Sequence, residues 1–339
     1  MEDRRRILLS FEGLEIGYKS PGPGRVLLPP LTGYAREGEL IAVIGRNGAG
    51  KSTLLRTIAG LHPALSGELK VNGKHLKEYT RMQLSEKVGY ISTEIVRVGN
   101  LKVYDLVSFG RFPYTSWLGQ ISRPDDEKIR ESIEKTGLSN FIDRSVNQLS
   151  DGERQRAMIA MVLAQDAGLM VMDEPTAFLD ISSKFEILHI MHELTSSRNK
   201  TIIFSTHDLG TALSQADKIW LLRDDGMHSG SPEDLMLEGA FNSLFDASKV
   251  IFNIEDGSFR IRSNQKGIIR VRASGSQKFW TEKALIRAGF MVSGSEPSPS
   301  VEVTDLPFPK WRFVSETGSA EFGSIYELIA WIRETGVIC

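Results

Sequence analysis

The chain has 339 residues, of which 41% are hydrophobic and 25% charged, with a formal net charge of −2. This length predicts two domains, and the composition is that of an ordinary globular protein. No excess of positive charge is available to attract polyanions, so general binding to nucleic acid or to a membrane surface is not expected.

The cysteine count and the hydropathy of the sequence indicate where in the cell the protein is found. Cys339 is the single cysteine, which excludes an intramolecular disulfide and a cysteine-based zinc site and fits a reducing compartment. The apolar stretch after the basic residues 4–6 is too short for a signal peptide, and no apolar run reaches the roughly 18 residues of a membrane span. We expect a cytoplasmic protein, and any membrane role would have to work through a protein partner.

The N-terminal part reads as strands. Residues 8–18 alternate as a strand does, residues 20–24 form a Pro/Gly loop, and strands follow at 31–35 and 40–44. Tyr18, directly before the loop, is either a core or edge aromatic or a ring that stacks on adenine.

A phosphate-binding loop follows the strand 40–44. It matches G-x-x-x-x-G-K-[S/T] and comprises Gly45, Arg46, Asn47, Gly48, Ala49, Gly50, Lys51 and Ser52, with Thr53 next. A helix predicted over 52–59 would direct its free N–H groups and positive dipole end at the phosphates. Lys51 would neutralise the β and γ oxygens and the Ser52 hydroxyl would ligate Mg²⁺. The motif therefore predicts nucleoside triphosphate binding.

The middle of the chain mixes short strands and helices. An Asn72-Gly73 hairpin signal and a strand at 88–92 precede an aromatic-rich stretch, 100–123, which is either local core or a partner-docking surface. We expect a helix over 125–136, capped by Pro124-Asp125.

A further helix is expected to begin near Ser150 and to run to about Gln165. Glu153 stands three residues after Ser150, which is the spacing of a capping box. Ser150 is thus either a plain helix start or part of an anion site.

The strand 169–172 ends in Asp173 and Glu174. Adjacent acids at a strand end suit a Mg²⁺ ligand followed by a general base, although a solvated strand end is the alternative. The loop 177–180 ends in Asp180, a helix is expected over 181–197, and a strand over 201–205 precedes His207. Polar residues after strands of an open α/β sheet face the ligand crevice, so His207 is well placed to act on phosphate.

Beyond Asp246 the pattern changes to short strands at 251–261, 267–273, 301–304 and 311–315, with helices at 281–288 and 324–334. This predicts a small α+β domain. It is either a structural cap or dimer contact, or a ligand sensor or regulatory module.

The ordered motifs resemble those of ABC-type ATPases over about residues 5–247. The resemblance implies an α/β fold: an ABC-type P-loop ATPase domain with a mixed-sheet core and a helical subdomain at about 93–165, followed by the α+β domain at 248–339. It makes Tyr18 the adenine stacker and assigns Asp173 to Mg²⁺, Glu174 to base catalysis, His207 to the γ-phosphate and Asp180 to a contact across the dimer.

Within that family, the stretches 101–107, 110–114, 149–156 and 173–180 are similar to the ATP-binding subunits of importers for iron chelates, haem and cobalamin. Thr93-Glu94 stands where a glutamine is expected, and LSDGE replaces LSGGQ. The first departure affects the contact expected with Mg²⁺ and with the permease.

The resemblance implies an ATP- and Mg²⁺-dependent subunit, peripheral on the inner face of the membrane, that powers a permease importing an iron chelate (siderophore), haem or cobalamin. Its partners would be a second copy, an integral-membrane permease and, indirectly, a periplasmic or surface binding protein. Each ATP would lie between the phosphate loop of one copy and Ser150 and Gly152 of the other. The rival hypothesis is a soluble, non-transport ABC ATPase acting on a macromolecule, and the sequence has neither the tandem cassettes nor the clustered cysteines that it predicts. A purely structural nucleotide-binding module is opposed by Glu174 and His207.

Overall fold

The computed structural model describes residues 5–18, 25–92, 100–115, 120–198, 200–244, 250–253, 258–261, 266–293, 299–304, 308–316 and 318–335. Thr93 and Glu94 lie outside these ranges. The chain divides into two compact units, 1–244 and 245–339. Within the described ranges, no helix combines the length and the apolar character needed to cross a membrane.

The first unit contains the following strands: β1 (Ile7–Glu15), β2 (Gly17–Tyr18), β3 (Arg25–Val26), β4 (Leu31–Arg36), β5 (Leu40–Gly45), β6 (Ser66–Val71), β7 (Lys74–His75), β8 (Val88–Ile91), β9 (Leu169–Met172), β10 (Thr201–Ser205), β11 (Lys218–Arg223) and β12 (Gly226–Gly230). Its α-helices are α1 (Lys51–Ile58), α2 (Arg81–Ser85), α3 (Val103–Ser108), α4 (Arg123–Lys135), α5 (Asp151–Ala164), α6 (Ile181–Arg198), α7 (Leu209–Gln215) and α8 (Pro232–Leu237).

The central sheet of the first unit has the strand order β12-β11-β5-β10-β9-β8 and is parallel except for the edge strand β12. Strands β5, β9 and β10 are buried along their whole length. Such continuous apolar runs are typical of parallel strands covered on both faces. Because the strands are parallel, the residues that follow β5, β9 and β10 come together at one edge of the sheet.

An antiparallel sheet of order β4-β1-β6-β7 packs against this core. Phe11 of β1 meets Trp220 of β11 edge-on, with ring centroids 5.3 Å apart. Leu54, Leu55 and Ile58 of α1 are fully buried in the same cluster. The helix that carries the phosphate loop is therefore anchored by apolar packing, independently of any ligand.

Helices α3, α4 and α5 share a separate apolar cluster. The helix α4 begins at Arg123 rather than at residue 125, and its cap is Ser122, whose hydroxyl accepts the Asp125 N–H in a capping box. The N-cap is therefore Ser122 and not the predicted Pro124-Asp125, but Asp125 does belong to the cap, because its carboxylate accepts the Ser122 N–H at 3.2 Å. Proline suits the first turn of this helix because the N–H that it lacks has no helical partner there.

The second unit contains the hairpin β13 (Val250–Asn253) and β14 (Ser258–Ile261), and a sheet of order β16-β15-β17-β18-β19. The sheet is built from β15 (Gly267–Arg272), β16 (Phe290–Val292), β17 (Ser300–Thr304), β18 (Lys310–Ser315) and β19 (Gly318–Phe322). Helices α9 (Gly275–Arg287) and α10 (Ile325–Thr335) share one apolar cluster with this sheet. Inside the cluster, the Trp311 indole donates to Thr281 Oγ1 at 2.8 Å. The unit is α+β, as predicted.

Candidate functional site

The phosphate loop connects the buried strand β5 to α1. Gly48 and Gly50 have φ of 81° and 94°, which side-chain-bearing residues rarely adopt, so glycine is required for this turn. Arg46, Asn47 and Gly48 are exposed, and Ala49 and Gly50 are half-buried. Among them, the Arg46 guanidinium donates to the Leu244 carbonyl at 3.3 Å. The loop thus presents an open backbone at the start of a helix.

Lys51 lies inside this loop and is buried. Its Nζ donates to the Gly45 carbonyl at 2.9 Å and to the Arg46 carbonyl at 3.3 Å. Burial lowers the pKa of Lys51, and the nearby carboxylates of Glu174 and Asp173 oppose this shift without cancelling it. The Lys51 ammonium is therefore held by carbonyls of the phosphate loop, and the two carboxylates lie close enough to affect its pKa.

Ser52 and Asp173 come together although 121 residues separate them. Ser52 Oγ donates to Asp173 Oδ1 at 3.0 Å. A hydroxyl and a carboxylate are oxygen ligands of the kind that Mg²⁺ prefers, and Mg²⁺ usually takes few protein ligands and completes its shell with water and phosphate. The described residues contain no group of three or more His, Cys, Asp and Glu side chains arranged to hold a metal. The pair therefore fits a Mg²⁺ ion that arrives with a nucleotide.

Glu174 and His207 form the second pair at this edge. Glu174 Oε1 contacts His207 Nε2, and the two side chains are 24% and 47% exposed. The backbone of Glu174 is left-handed, with φ of 49°, which is uncommon for a residue other than glycine. A carboxylate held at this angle beside an imidazole can accept a proton from a water molecule that lies near the phosphate loop.

Tyr18 lies beside the loop and is half exposed. Its hydroxyl is 3.2 Å from Thr53 Oγ1, and its ring meets His62 edge-on with centroids 5.4 Å apart. His62 Nε2 lies 2.7 Å from the Gly17 carbonyl, which fixes the imidazole against this aromatic. Tyr18 is 53% exposed, which leaves room for the stacking on a purine that the resemblance implies.

Ser150 and Asp180 act as helix caps. Ser150 caps α5 through a capping box with Glu153, and the Asp180 carboxylate accepts from the Ser183 N–H at 2.9 Å and from its hydroxyl at 3.1 Å. In the described part of the chain, neither side chain bonds to the phosphate loop. Within one chain, the structure does not bring them to Lys51.

Packing within the chain explains why residue 152 is a glycine. A Cβ at this position would lie 2.5 Å from Ser183 Oγ, so only glycine lets α5 approach the start of α6 this closely. The absence of a side chain at Gly152 is therefore explained without a nucleotide.

Sequence reasoning missed two residues around the site. His62 supports Tyr18 from a loop without a motif, and no sequence signal identifies it. Ser205, at the end of β10, contacts both acids: its hydroxyl donates to Asp173 Oδ1 at 2.7 Å and accepts the Glu174 N–H at 2.9 Å. The sequence did offer a signal for Ser205: it is a polar residue at the end of an apolar strand, two positions before His207.

Two family models match the chain. The model described as ABC transporter matches residues 28–177, and the model described as iron ABC transporter C-terminal domain matches residues 266–333. The two matches fall in different units of the structure. The second gives the C-terminal unit a family that the sequence motifs did not reveal.

Similar proteins agree with these matches. An uncharacterised ABC transporter ATP-binding protein of Methanocaldococcus jannaschii is 33% identical over 76% of this chain and 88% of its own length. A petrobactin import ATP-binding protein of Bacillus anthracis is 36% identical, covering 62% of this chain and 77% of its own, and the ferric enterobactin transport ATP-binding protein of Escherichia coli is 35% identical, covering 61% and 76%.

The fold has a counterpart among solved structures. A chain from an inward-facing transporter assigned to the metal-chelate type of ABC transporter superposes with a TM-score of 0.62 at 25% identity, over 75% of this chain and 96% of that one. The similar sequences and the superposed structure both belong to ABC transporters, the family that the ordered motifs resemble. The chain belongs to the ATP-binding proteins of the ABC transporters and is an ATPase of that family.

Proposed function

We propose that this chain is the ATP-hydrolysing subunit of an importer for iron chelates. In this proposal it works as a head-to-tail homodimer bound to the cytoplasmic side of an integral-membrane permease. The observation that carries the ATPase site is the meeting of Ser52 with Asp173 and of Glu174 with His207 at one edge of a parallel sheet.

The nucleotide would bind across the phosphate loop. Tyr18 would stack on the adenine, and the backbone N–H groups from Gly45 to Thr53 would surround the phosphates. Lys51 would exchange the carbonyls of Gly45 and Arg46 for phosphate oxygens, which are stronger partners because they carry charge. Binding would thus be dominated by charge compensation.

Ser52 and Asp173 would hold Mg²⁺, which neutralises the charge that develops on the phosphates when it is bound. Glu174 would accept the proton of the attacking water, and His207, in contact with Glu174, would orient that water and the γ-phosphate. The left-handed backbone of Glu174 is consistent with this role, because residues in such sparsely populated conformations cluster at active sites.

Apolar exposure next to the site supports a second copy as partner. Phe178 is 95% exposed with φ of 62°, and Ile181 and Phe185 of α6 are also exposed. Large apolar side chains grouped on a surface favour an interface. A dimeric ABC transporter cassette has this fold, with a TM-score of 0.59. A partner copy covering this surface would supply Ser150, Gly152 and Asp180, whose own-chain contacts lie away from the phosphate loop.

A second exposed group supports the permease. Phe109 and Phe112 have ring centroids 5.9 Å apart and, with Tyr114, lie exposed on the helical subdomain, Phe112 to 61%. Rigid aromatic side chains are frequent anchors in protein interfaces.

The iron-chelate substrate is supported by the names of relatives that import petrobactin and ferric enterobactin, and by the family of the C-terminal unit. A periplasmic or surface binding protein would deliver the chelate to the permease.

The test compares three variants for ATP binding, ATP hydrolysis and uptake. Glu174→Gln should bind ATP and lose turnover, because it removes the base and keeps the volume. Lys51→Ala should lose ATP affinity. Glu193→Gln is the matched control, because Glu193 also lies beside a histidine, His189, at 3.7 Å but on an exposed face of α6. The control should behave as the parent does.

Cells that carry Glu174→Gln as their only copy should lose uptake of a ferric siderophore and retain uptake of haem and cobalamin. Near-normal hydrolysis by Glu174→Gln would remove Glu174 from the base role. Loss of haem or cobalamin uptake with siderophore uptake intact would overturn the iron-chelate assignment and leave the ATPase assignment standing.

A further inference from the structure

Ser205 occupies a central position that none of the motifs includes. It is the last residue of β10, is fully buried, and lies level with Val43 of β5. On the other side of β10 is β9, whose parallel register pairs Phe204 with Met172, so the next residues, Ser205 and Asp173, are level as well. The hydroxyl of Ser205 is therefore enclosed among the strands that carry the site.

Both hydrogen-bonding roles of this hydroxyl are used on the two acids. Its hydrogen goes to Asp173 Oδ1 at 2.7 Å, and its oxygen accepts the Glu174 N–H at 2.9 Å. Asp173 Oδ1 also accepts from Ser52 at 3.0 Å, so one carboxylate oxygen is held from two sides. Ser205 thus links the side chain of one acid to the backbone of the next.

We infer that Ser205 is a positioning residue that sets the direction of the Asp173 carboxylate and stabilises the left-handed backbone of Glu174. The inference rests on the proposed roles of Asp173 in holding Mg²⁺ and of Glu174 as base. Partners that orient a metal-ligating carboxylate tune its affinity for the metal. A left-handed non-glycine residue persists only where its surroundings hold it, and the N–H of Glu174 is one of the groups so held.

Ser205→Ala removes the hydroxyl with little change in volume. The Mg²⁺ concentration that gives half-maximal binding of a fluorescent ATP analogue should rise about tenfold or more. The turnover number at saturating Mg²⁺ should also fall, because Glu174 is less well held. Binding of the analogue in EDTA should be unchanged, because Lys51 and the loop N–H groups do not touch Ser205.

Thr201→Val is the matched control at the other end of the same strand. Thr201 is also fully buried, and its hydroxyl accepts the Gly38 N–H at 3.1 Å and donates to the Arg36 carbonyl at 3.1 Å. It should lower the melting temperature as Ser205→Ala does, and leave the Mg²⁺ midpoint at the parent value. Ser205→Cys keeps a side chain of similar size with a weak hydrogen-bonding group, so it should fold and shift the midpoint in the same direction.

An unchanged Mg²⁺ midpoint in Ser205→Ala or in Ser205→Cys would overturn the inference, and so would an equal shift in Thr201→Val. Asp173→Asn and Glu174→Gln are measured beside them. If Asp173→Asn keeps the parent's Mg²⁺ midpoint and Glu174→Gln keeps the parent's turnover, the proposed site itself is wrong. If Asp173→Asn raises the midpoint and Glu174→Gln loses turnover while the Ser205 variants match the parent in both, only the role of Ser205 is refuted.

Discussion

The buried ion pair between Arg111 and Asp125 should be the main polar anchor of the helical subdomain. Arg111 Nε and Nη2 both lie 2.8 Å from Asp125 Oδ1, and Nη1 donates to the Ala164 carbonyl at 2.9 Å. The guanidinium also lies over the Tyr114 ring, 3.9 Å from its centroid. One side chain thereby joins the start of α4 to the end of α5, the helix that Ser150 caps at its other end.

Arg111→Met keeps most of the side-chain length and removes the charge. It leaves a buried carboxylate without its cation, which costs about 3–5 kcal/mol when a buried pair is broken. Asp125 Oδ2 keeps the Ser122 hydroxyl at 2.5 Å and the Ser122 N–H at 3.2 Å, which favours the lower part of that range. The carbonyl of Ala164 loses a donor as well, at a further cost of about 1 kcal/mol. We expect a total loss of about 4 kcal/mol.

Hydrogen exchange of peptides from α4 and α5 measures this loss where it occurs, since a chain with two units need not unfold in one step. Arg130→Met is the matched control, because Arg130 is exposed and its partner Asp126, 2.9 Å away on the same helix, is only half-buried and keeps the Tyr104 hydroxyl at 2.6 Å. Loss of a pair at the surface should cost less than about 1 kcal/mol. Adding Asp125→Asn to Arg111→Met should recover part of the loss by removing the unpaired charge. Equal effects of Arg111→Met and Arg130→Met would refute the reasoning.

Two further predictions concern the ATP sites of the proposed dimer and the stability of α4 at low pH. In mixed dimers with Ser150→Arg in one copy and Lys51→Ala in the other, contacts made across the dimer leave one composite ATP site intact, whereas contacts within a chain leave none; nucleotide occupancy per dimer decides between them. Acid should loosen α4. Burial raises the pKa of Asp125, but hydrogen bonds from the capping serine and from Arg111 outweigh this and set the pKa below its ordinary value. The unfolded chain then binds more protons, so the contribution of Asp125 is present above about pH 4 and is lost as the pH falls further. Amide protection of α4 that is unchanged at about pH 3 would contradict this.

The motif-bearing elements of the first unit could be predicted because their signals are strong and local. The strand predicted at 201–205 coincides with β10, and the helix predicted at 181–197 ends one residue before α6 does. Long apolar runs in a parallel sheet leave few competing interpretations. In the second unit, α9 begins at Gly275, six residues before the predicted start at 281. Its first turns contain Gly275 and the exposed pair Phe279-Trp280, which hide the helical periodicity.

Two short strands of the second unit were not predicted at all. β16 has three residues and β19 has five, and both lie at edges of the sheet. Edge strands are partly exposed, so they lack the alternation of buried and exposed residues that would identify them. β16 pairs with β15 across the intervening helix α9, which leaves no local sign of the pairing. β19 pairs with its chain neighbour β18, but its sequence, GSAEF, has no β-branched residue to mark it as a strand.

The residues of the site also fall into two groups: those that a local motif predicts and those whose role depends on contacts between distant strands. Lys51, Asp173 and His207 could be predicted as candidates because each follows a buried strand in a motif of its own. The place of Ser205 could not, because it depends on the register between β9 and β10, which pairs Thr201 with Leu169. Successive side chains of a strand point to opposite faces, so a shift of that register by one residue would turn Ser205 away from Asp173. Motifs therefore identify the groups that would meet the nucleotide, while the register of the sheet determines which buried neighbour can hold them in position.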